Sequence, residues 1–217
     1  MYEYFKGVKH MKVLLVNGSP HEKGCTYRAL KEVADALQKQ GVETEIFQIG
    51  KQPIAGCLGC GACAKLGKCV VDDLVGEFVE KAKTADGFVF GSPVYYAAPA
   101  GNFLSFMNRL FYCGGKHLAF KPAAAIASAR RAGTVSTVDV VNKYFTINNM
   151  PVVSGNYWNN VHGANNTPTD VEKDQEGLQT MRIVGNNMAW LLKCIELGKQ
   201  AGITPQTEQK LRTNFIR

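Results

Sequence analysis

Short apolar segments alternate with amphipathic helical segments along most of this chain. Lys12–Asn17 (KVLLVN) is a nearly all-apolar run, as expected for a strand that is buried on both faces. The next segment, Tyr27–Gln40, carries apolar residues at helical spacing and is followed by Gly41, a typical helix terminator. An alternation of this kind buries all of its apolar faces when parallel strands form a sheet with helices on both sides.

The alternation continues through four further strand–helix pairs. The predicted strands are Lys12–Asn17, Glu43–Ile49, Gly87–Gly91, Pro122–Ser128 and Pro151–Ser154. The predicted helices are Tyr27–Gln40, a helix capped by Asp72 or Asp73, Pro99–Phe111, Thr134–Phe145 and a last long helix after a capping box of Thr169 and Glu172. Leu178, Met181, Val184, Met188, Leu191 and Ile195 are predicted to share the apolar face of that last helix. We therefore predict an α/β fold with a doubly wound, five-stranded parallel sheet.

The chain has 217 residues, which suffice for one well-filled domain and are few for two. We predict a single domain over residues 1–217, with an N-terminal extension (1–10), a Cys-rich loop (57–69), a long loop (155–168) and a C-terminal tail (203–217). Residues 1–10 lack the apolar core of a secretory signal, and no apolar run approaches the roughly 18 residues of a membrane span. We expect a cytoplasmic protein that does not bind membranes.

The formal net charge of +7 raises the question of nucleic-acid binding. Lysine and arginine are, however, spread along the chain, and no basic run interleaved with aromatic residues is present. Attraction of small phosphorylated ligands accounts for the same charge balance. We expect no nucleic-acid partner.

The first strand leads into a loop, GSPHEKGCT, whose residues suit a phosphate group. Ser19 and Thr26 can donate hydroxyl hydrogens, and Gly24, Cys25 and Thr26 can donate backbone N–H groups at a helix start. The loop contains neither Gly-x-Gly-x-x-Gly nor Gly-Lys-Ser/Thr, which counts against a Rossmann dinucleotide site and against a P-loop hydrolase. An ordinary strand-to-helix turn is the alternative interpretation.

Four of the seven cysteines lie within thirteen residues, at a spacing of C-x2-C-x2-C-x5-C. The four candidate metal ligands are Cys57, Cys60, Cys63 and Cys69. Compact C-x2-C-x2-C runs with a fourth cysteine are typical of [4Fe–4S] sites, whereas structural zinc sites usually use two separated pairs. Free thiols are the remaining alternative, and disulfides are disfavoured in the cytoplasm. Cys113 and Cys194 fall in helical patterns and are predicted to be buried apolar side chains.

A third candidate loop follows the fourth predicted strand, from Ser128 to Gly133. Ligands of doubly wound sheets bind at the carboxyl ends of the strands, where this loop lies. Gly133 would allow a ligand to approach closely, and Arg130 or Arg131 could pair with an anion. Solvated arginines are the alternative.

Taken together, three motifs resemble the NAD(P)H-dependent FMN reductase family, and within it the iron–sulfur flavoproteins. They are VNGSP…GCT, the four-cysteine segment that ends in CVVDD, and GSPVYYAAPAGNFLSFMNR; the later Asn156–Gly163 segment is also similar to members of this group. The resemblance covers roughly Met11–Arg109. It implies a flavodoxin-like fold that binds FMN, with NAD(P)H as co-substrate and assembly into homodimers or homotetramers.

The resemblance also implies roles for particular residues. The phosphate loop matches Ser19, Gly24, Cys25 and Thr26, and Cys25 departs from the small polar residue that is more usual there. The ring-binding loop matches Ser92, Pro93, Val94, Tyr95 and Tyr96, with Asn102 on the following helix. Backbone groups of this loop can bind the polar edge of a flavin, and the tyrosine rings can cover one face. The two tyrosines are equally compatible with a core or an interface.

The expected function is FMN-dependent transfer of electrons from reduced nicotinamide to a small acceptor, such as a quinone, a nitro or azo compound, or a flavin. Two alternatives stay open: an electron carrier that serves protein partners such as ferredoxin, and a cysteine-based sensor that has lost FMN. His162 could donate a proton to an acceptor, although a structural hydrogen bond is the simpler role for it. Tyr157 and Trp158 could cover the flavin of a neighbouring subunit.

Overall fold

The computed structural model describes residues 10–211 and 213–215. The predicted N-terminal extension therefore lies, apart from His10, outside the described residues, as do positions 212, 216 and 217 of the predicted tail. The described residues after 202 are exposed and have no regular secondary structure. Within the described ranges, no helix is long and apolar enough to cross a membrane.

Strands and helices alternate as the sequence predicts. The strands are β1 (Lys12–Asn17), β2 (Glu43–Gln48), β3 (Gly87–Tyr95), β4 (Ala98–Pro99), β5 (Ala123–Ala129) and β6 (Asn160–His162). The helices are α1 (Cys25–Lys39), α2 (Ala62–Leu66), α3 (Leu74–Thr84), α4 (Gly101–Gly114), α5 (Thr134–Ile147), α6 (Pro168–Val171) and α7 (Gln175–Gln200). Asp73 caps α3, as expected of one of the two candidate aspartates, by accepting a hydrogen bond from Val75 N at 3.0 Å.

The sheet has the strand order β2-β1-β3-β5-β6, and the strands on this path are parallel. Strand β4 pairs with the end of β3 in an antiparallel hairpin. Because β1 lies between β2 and β3, the chain leaves it in one direction and later returns on its other side. This reversal places a crevice at the carboxyl ends of β1 and β3, where doubly wound sheets bind ligands.

The central strands bury both faces, and alternate residues enter two separate cores. Val13 and Leu15 of β1 pack with α1 and α7, whereas Leu14 and Val16 pack with α3, α4 and α5. The second core contains a group of contacting aromatic rings, in which Phe78 lies 5.1 Å from Phe47 between ring centroids. The doubly wound five-stranded arrangement is thereby confirmed.

The position of the fifth strand was predicted wrongly. Val152 makes an isolated parallel bridge to Ala123, and the strand that continues this edge is β6, inside the predicted long loop 155–168. Asn159 explains the shift, because its side chain accepts a hydrogen bond from Gly155 N at 3.0 Å and donates one to Val153 O at 3.3 Å. The chain leaves the edge of β5 for a short excursion and rejoins it at Asn160.

The start of the last helix also differs from the prediction. Pro168 begins the short helix α6, and Thr169 lies within it, so no capping box forms with Glu172 among the described residues. Helix α7 is capped instead by Asp174, whose carboxylate accepts a hydrogen bond from Gly177 N at 2.9 Å.

The apolar face predicted for α7 is correct at its start and drifts toward its end. Leu178 to Met188 supply buried residues as expected, whereas Leu191 and Ile195 are half-buried and Leu192 is buried in their place. Cys113 is buried, as predicted, but Cys194 is exposed. The reason is that Cys194 follows the buried Leu192 by two positions, which is more than half a helical turn.

Two glycines of α7 allow a matched test of this packing. A Cβ on Gly185 would lie 2.7 Å from Ala36 Cβ and 2.8 Å from Val33 O of α1, whereas a Cβ on Gly198 would meet only Ile203 Cβ, at 3.9 Å. We expect Gly185→Ala to lower the free energy of unfolding by about 1–3 kcal/mol through overpacking. Gly198→Ala should raise it by up to about 1 kcal/mol through helix propensity. Urea unfolding measures both, and equal effects of the two substitutions would contradict the α1–α7 packing.

Candidate functional site

Three loops meet at the carboxyl edge of the sheet, after β1, β3 and β5. The first loop is joined to β3 by a hydrogen bond from Gly18 N to Gly91 O at 2.8 Å. The first turn of α1, which follows the first loop, is joined to the end of β5 by the hydroxyls of Thr26 and Ser128, which lie 2.7 Å apart and are buried. The structure thus brings together candidate residues that are separated by 102 positions in the sequence.

The loop after β1 is braced by Asn17, a buried residue that the sequence analysis did not single out. Its side-chain nitrogen donates to Gln48 Oε1 at 2.5 Å and to Glu22 O at 3.2 Å, and its Oδ1 accepts from Ser19 N at 3.1 Å. Gln48 in turn donates to Ser19 O at 2.7 Å. These bonds fix the path of the loop before helix α1 begins.

The predicted phosphate residues lie at the start of α1. Gly24 is the N-cap residue of this 15-residue helix, and no side chain among the described residues caps it. Ser19, Gly24, Cys25 and Thr26 are buried. The Ser19 hydroxyl accepts a hydrogen bond from His21 N at 3.1 Å and keeps its own hydrogen for donation. The arrangement suits an anion, because an uncapped helix start presents backbone N–H groups and a positive dipole end.

The loop 155–168 lies against this helix start. The Cys25 thiol donates to Thr167 O at 3.4 Å, and a Cβ on Gly24 would be 3.2 Å from Asn166 O. Burial raises the pKa of the Cys25 thiol, so it is not poised to react as a thiolate. A groove of about 510 Å³ beside the loop is lined by Lys23, Lys51 and Glu22, among others, and gives this end of the site a cationic excess.

The second loop is the β3–β4 hairpin. Tyr96 and Ala97 occupy its tip with φ values of +51° and +58°, as the type I′ turn of a two-residue hairpin requires. Tyr95 and Tyr96 project into solvent, with exposed fractions of 46% and 106%, so neither is a core residue. The Ser92 hydroxyl is buried and accepts a hydrogen bond from Ala100 N at 3.0 Å, which ties the base of the hairpin. Pro93 and Val94 are half-buried between them.

The third loop packs against this hairpin through Gly133. Its φ of +87° favours glycine, and a Cβ would lie 2.8 Å from Ala97 Cα and 2.9 Å from Val94 Cγ1. Ser136 adds a hydrogen bond to Ala97 O at 2.7 Å. Arg130 and Arg131 are exposed beside this contact. The loops after β1, β3 and β5 therefore form one continuous surface.

Asn102, predicted to bind the ring, faces the segment that precedes the cysteines. Its Oδ1 accepts from Ile54 N at 2.8 Å, and its Nδ2 donates to Gln52 O at 2.9 Å. The side chain thereby connects the start of α4 with the segment that leads into the Cys-rich loop.

The four clustered cysteines line one cavity of about 150 Å³. Cys57 and Cys60 are exposed, and Cys63 and Cys69 are half-buried. Cys113, on α4, lines the same cavity from behind, and burial raises the pKa of its thiol. Among the described residues, no three His, Cys, Asp or Glu side chains are arranged to hold a single metal ion. The four thiols thus share one cavity.

Arg109 forms the inner wall of this cavity, and its side chain is 1% exposed. Its Nη2 donates to Asp73 Oδ1 at 2.9 Å, to Val71 O at 2.9 Å and to Cys69 Sγ at 3.4 Å. The hydrogen bonds to Asp73 raise the pKa of the guanidinium further above its ordinary range, so its charge is permanent. Arg109 was not among the predicted site residues; the available signal was an arginine within the apolar pattern of α4.

A further cavity, of about 320 Å³, lies beside the end of β6 and includes His162, Tyr157 and Trp158 in its lining. His162 is exposed, and its Nδ1 lies 3.7 Å from the Asp174 carboxylate. Tyr157 and Trp158 are about half exposed and contact each other edge to face, with ring centroids 4.7 Å apart. Tyr157 and Trp158 are thus accessible to solvent in the cavity beside β6.

Comparison with known proteins gives concordant results. The sequence profile of the family described as NADPH-dependent FMN reductase matches residues 11–165. An iron–sulfur flavoprotein of Methanocaldococcus jannaschii is 32% identical over 193 residues, which cover 86% of this chain and 100% of that protein.

Solved structures agree on the fold. RosB, solved with bound 8-demethyl-8-formylriboflavin-5′-phosphate, has a TM-score of 0.68 at 15% identity, covering 95% of this chain and 92% of RosB. A flavodoxin from the domain Archaea has a TM-score of 0.58 at 16% identity, covering 84% of this chain and 99% of that flavodoxin. The predicted flavodoxin-like fold is confirmed.

Proposed function

Because this chain belongs to the NADPH-dependent FMN reductase family, and within it to the iron–sulfur flavoproteins, we propose that it binds FMN and transfers electrons from NAD(P)H to an acceptor. The observation that carries this proposal is the meeting of three loops at the switch point of the sheet. One surface is formed there by the uncapped start of α1, the β3–β4 hairpin and the loop at Gly133. Ligands of this fold class bind at such a crevice.

The residues fit the two ends of FMN. The helix start at Gly24, with the hydroxyls of Ser19 and Thr26, would hold the phosphate. The backbone of Pro93–Tyr96 would hold the flavin ring, and Gly133 would act indirectly, because its close approach is to the hairpin itself. Ser128 would lie between the two ends. Bound FMN would supply hydride acceptance from the nicotinamide and electron release to the acceptor. The exposed Tyr95 and Tyr96 would shield one face of the ring from water.

Replacing Thr26 tests the phosphate end. Thr26→Val keeps the shape of the side chain and removes the hydroxyl, so we expect FMN to bind about tenfold more weakly, equivalent to about 1.4 kcal/mol. Titration of the apoprotein with FMN, followed by flavin fluorescence, measures the affinity. Thr84→Val is the control, because the Thr84 hydroxyl is exposed and bonds Lys81 O at 3.2 Å on α3. Equal FMN affinity of wild type and Thr26→Val would argue against this phosphate site.

We further propose that Cys57, Cys60, Cys63 and Cys69 hold a [4Fe–4S] cluster. The four thiols line one cavity, and their C-x2-C-x2-C-x5-C spacing is typical of a cluster in which each cysteine binds a different iron atom. Structural zinc sites usually use two separated Cys-x2–4-Cys pairs, a spacing that these four cysteines do not have. Such a cluster would relay single electrons, and the chain itself supplies the thiols and the enclosing wall of the cavity.

The four clustered cysteines should be required for iron binding, and the other thiols should not. We expect alanine at any one of positions 57, 60, 63 or 69 to abolish stoichiometric iron and acid-labile sulfide in protein purified without oxygen. Cys113→Ala should retain both, although Cys113 lines the same cavity, and so should Cys194→Ala on the exposed face of α7. Iron loss from Cys113→Ala together with retention in Cys69→Ala would assign a different ligand set.

A specific observation favours the electron-carrier alternative alongside reduction of small acceptors. Exposed apolar side chains line the cysteine cavity, with Leu58 and Tyr112 each more than 70% exposed, and Lys65 and Lys68 are exposed on the same Cys-rich segment. Apolar surface with basic groups suits an acidic redox protein such as a ferredoxin. Assembly as a homodimer or homotetramer stays a prediction, which the mass in solution measures.

The decisive experiment is a visible spectrum of anaerobically purified protein, with iron and sulfide assays and NAD(P)H oxidation on the same sample. We expect flavin bands, stoichiometric iron and NAD(P)H oxidation with a quinone, nitro or azo compound, or free flavin as acceptor. Negligible turnover with these compounds but rapid exchange with ferredoxin would identify the carrier function. A colourless protein that takes up no FMN on reconstitution would refute the proposal.

A further inference from the structure

Arg109 brings a permanent positive charge into the interior beside the cysteine cavity. Its guanidinium bridges three parts of the Cys-rich segment: it donates to Ala55 O at 3.5 Å before the cysteines, to Cys69 Sγ at 3.4 Å and to Val71 O at 2.9 Å after them. These groups lie at both ends of the Cys-rich loop. One side chain on a rigid helix therefore fixes where the loop begins and where its last thiol lies.

Stability alone does not account for this arginine. A buried ion pair seldom stabilises a fold more than apolar residues of similar volume, because both charges must be desolvated. Arg109 is buried against its single carboxylate partner Asp73, and its Nε has no hydrogen-bond partner among the described atoms. Its neighbours Phe106 and Leu110 on α4 are fully buried, so an apolar side chain would suit the position.

We infer that Arg109 is a positioning residue that holds Cys69 in place for the cluster and raises the cluster's reduction potential. The inference rests on the cluster part of the proposed function. Hydrogen bonds to ligand sulfurs and nearby charge are among the factors that set the potentials of iron–sulfur clusters. A guanidinium beside Cys69 stabilises the more negative, reduced state, and the carboxylate of Asp73 opposes this effect.

Removing the charge of Arg109 and removing that of Asp73 should therefore shift the reduction potential of the cluster in opposite directions. Arg109→Gln removes the positive charge and leaves Asp73, so the potential should become more negative. Asp73→Asn removes the negative charge and keeps an oxygen able to cap α3, so the potential should become more positive. Arg109→Lys keeps the charge but not the planar fork, and should give a smaller negative shift than Arg109→Gln. General loosening of the structure would not produce shifts of opposite sign.

The test is an anaerobic redox titration with dithionite, followed by electron paramagnetic resonance, on the FMN-loaded full chain. Iron retention against a chelator is measured in parallel, and Arg109→Gln should release iron at about tenfold lower chelator concentration. Arg182→Gln is the control, because Arg182 is 43% exposed and pairs with Glu32 at 2.5 Å, on helices that do not line the cavity. FMN absorbance reports whether each variant keeps its fold.

Opposite shifts in Arg109→Gln and Asp73→Asn, with no shift in Arg182→Gln, are the expected result. If Arg109→Gln loses iron but keeps FMN, the positioning role is supported, and Asp73→Asn and Arg109→Lys decide the electrostatic role. If Arg109→Gln, Arg109→Lys and Asp73→Asn all keep the wild-type potential and iron retention, the inference is overturned and the proposed cluster stays intact. A wild-type protein with flavin but no iron would instead overturn the cluster, and the inference with it.

Discussion

The hydrogen bond from Gly18 N to Gly91 O extends the pairing with β3 one residue beyond the end of β1, and the site depends on it. The contact is possible because Gly18 lacks a side chain. A Cβ on Gly18 would lie 2.7 Å from Gly91 O and 2.4 Å from the ring of Phe103 on α4. The loop after β1, the end of β3 and the first turn of α4 therefore occupy fixed positions relative to one another.

Helix α4 carries this fixed geometry from the switch point to the cysteines. Asn102 in its first turn bonds the segment before the Cys-rich loop, and Arg109 bonds the loop at Cys69. Seven residues separate the two, or about 10 Å along the helix axis. The proposed FMN site and the proposed cluster site are thus connected by a single rigid element, which fixes the distance between them.

The pattern of apolar residues along the chain predicted the fold correctly where the burial of those residues alone determines the structure. Strands β1, β3 and β5 are buried on both faces, so their apolar runs were unambiguous. At the sheet edge the pattern was insufficient, because Val152 and Val153 have high strand propensity while β6 forms eight residues later. The side-chain bonds of Asn159 decide that edge, and no periodicity reveals them. Cys194 shows a related limit: a helical pattern gives a period, but the packing of α7 on α1 fixes which face is buried.

The candidate site likewise contains residues that the sequence predicted and residues that only the fold reveals. Residue types and spacing identified Thr26, Ser128 and the four cysteines as candidates, because each motif is continuous in sequence. Asn17 and Arg109 were missed because their roles arise from bonds to distant segments, in particular to Gln48 and Asp73. A lone arginine in a helical pattern is ordinarily solvated, and only the fold shows that its charge is enclosed. The cost of enclosing that charge is the strongest argument that it acts on the cysteine cavity, since an apolar residue would serve the core as well.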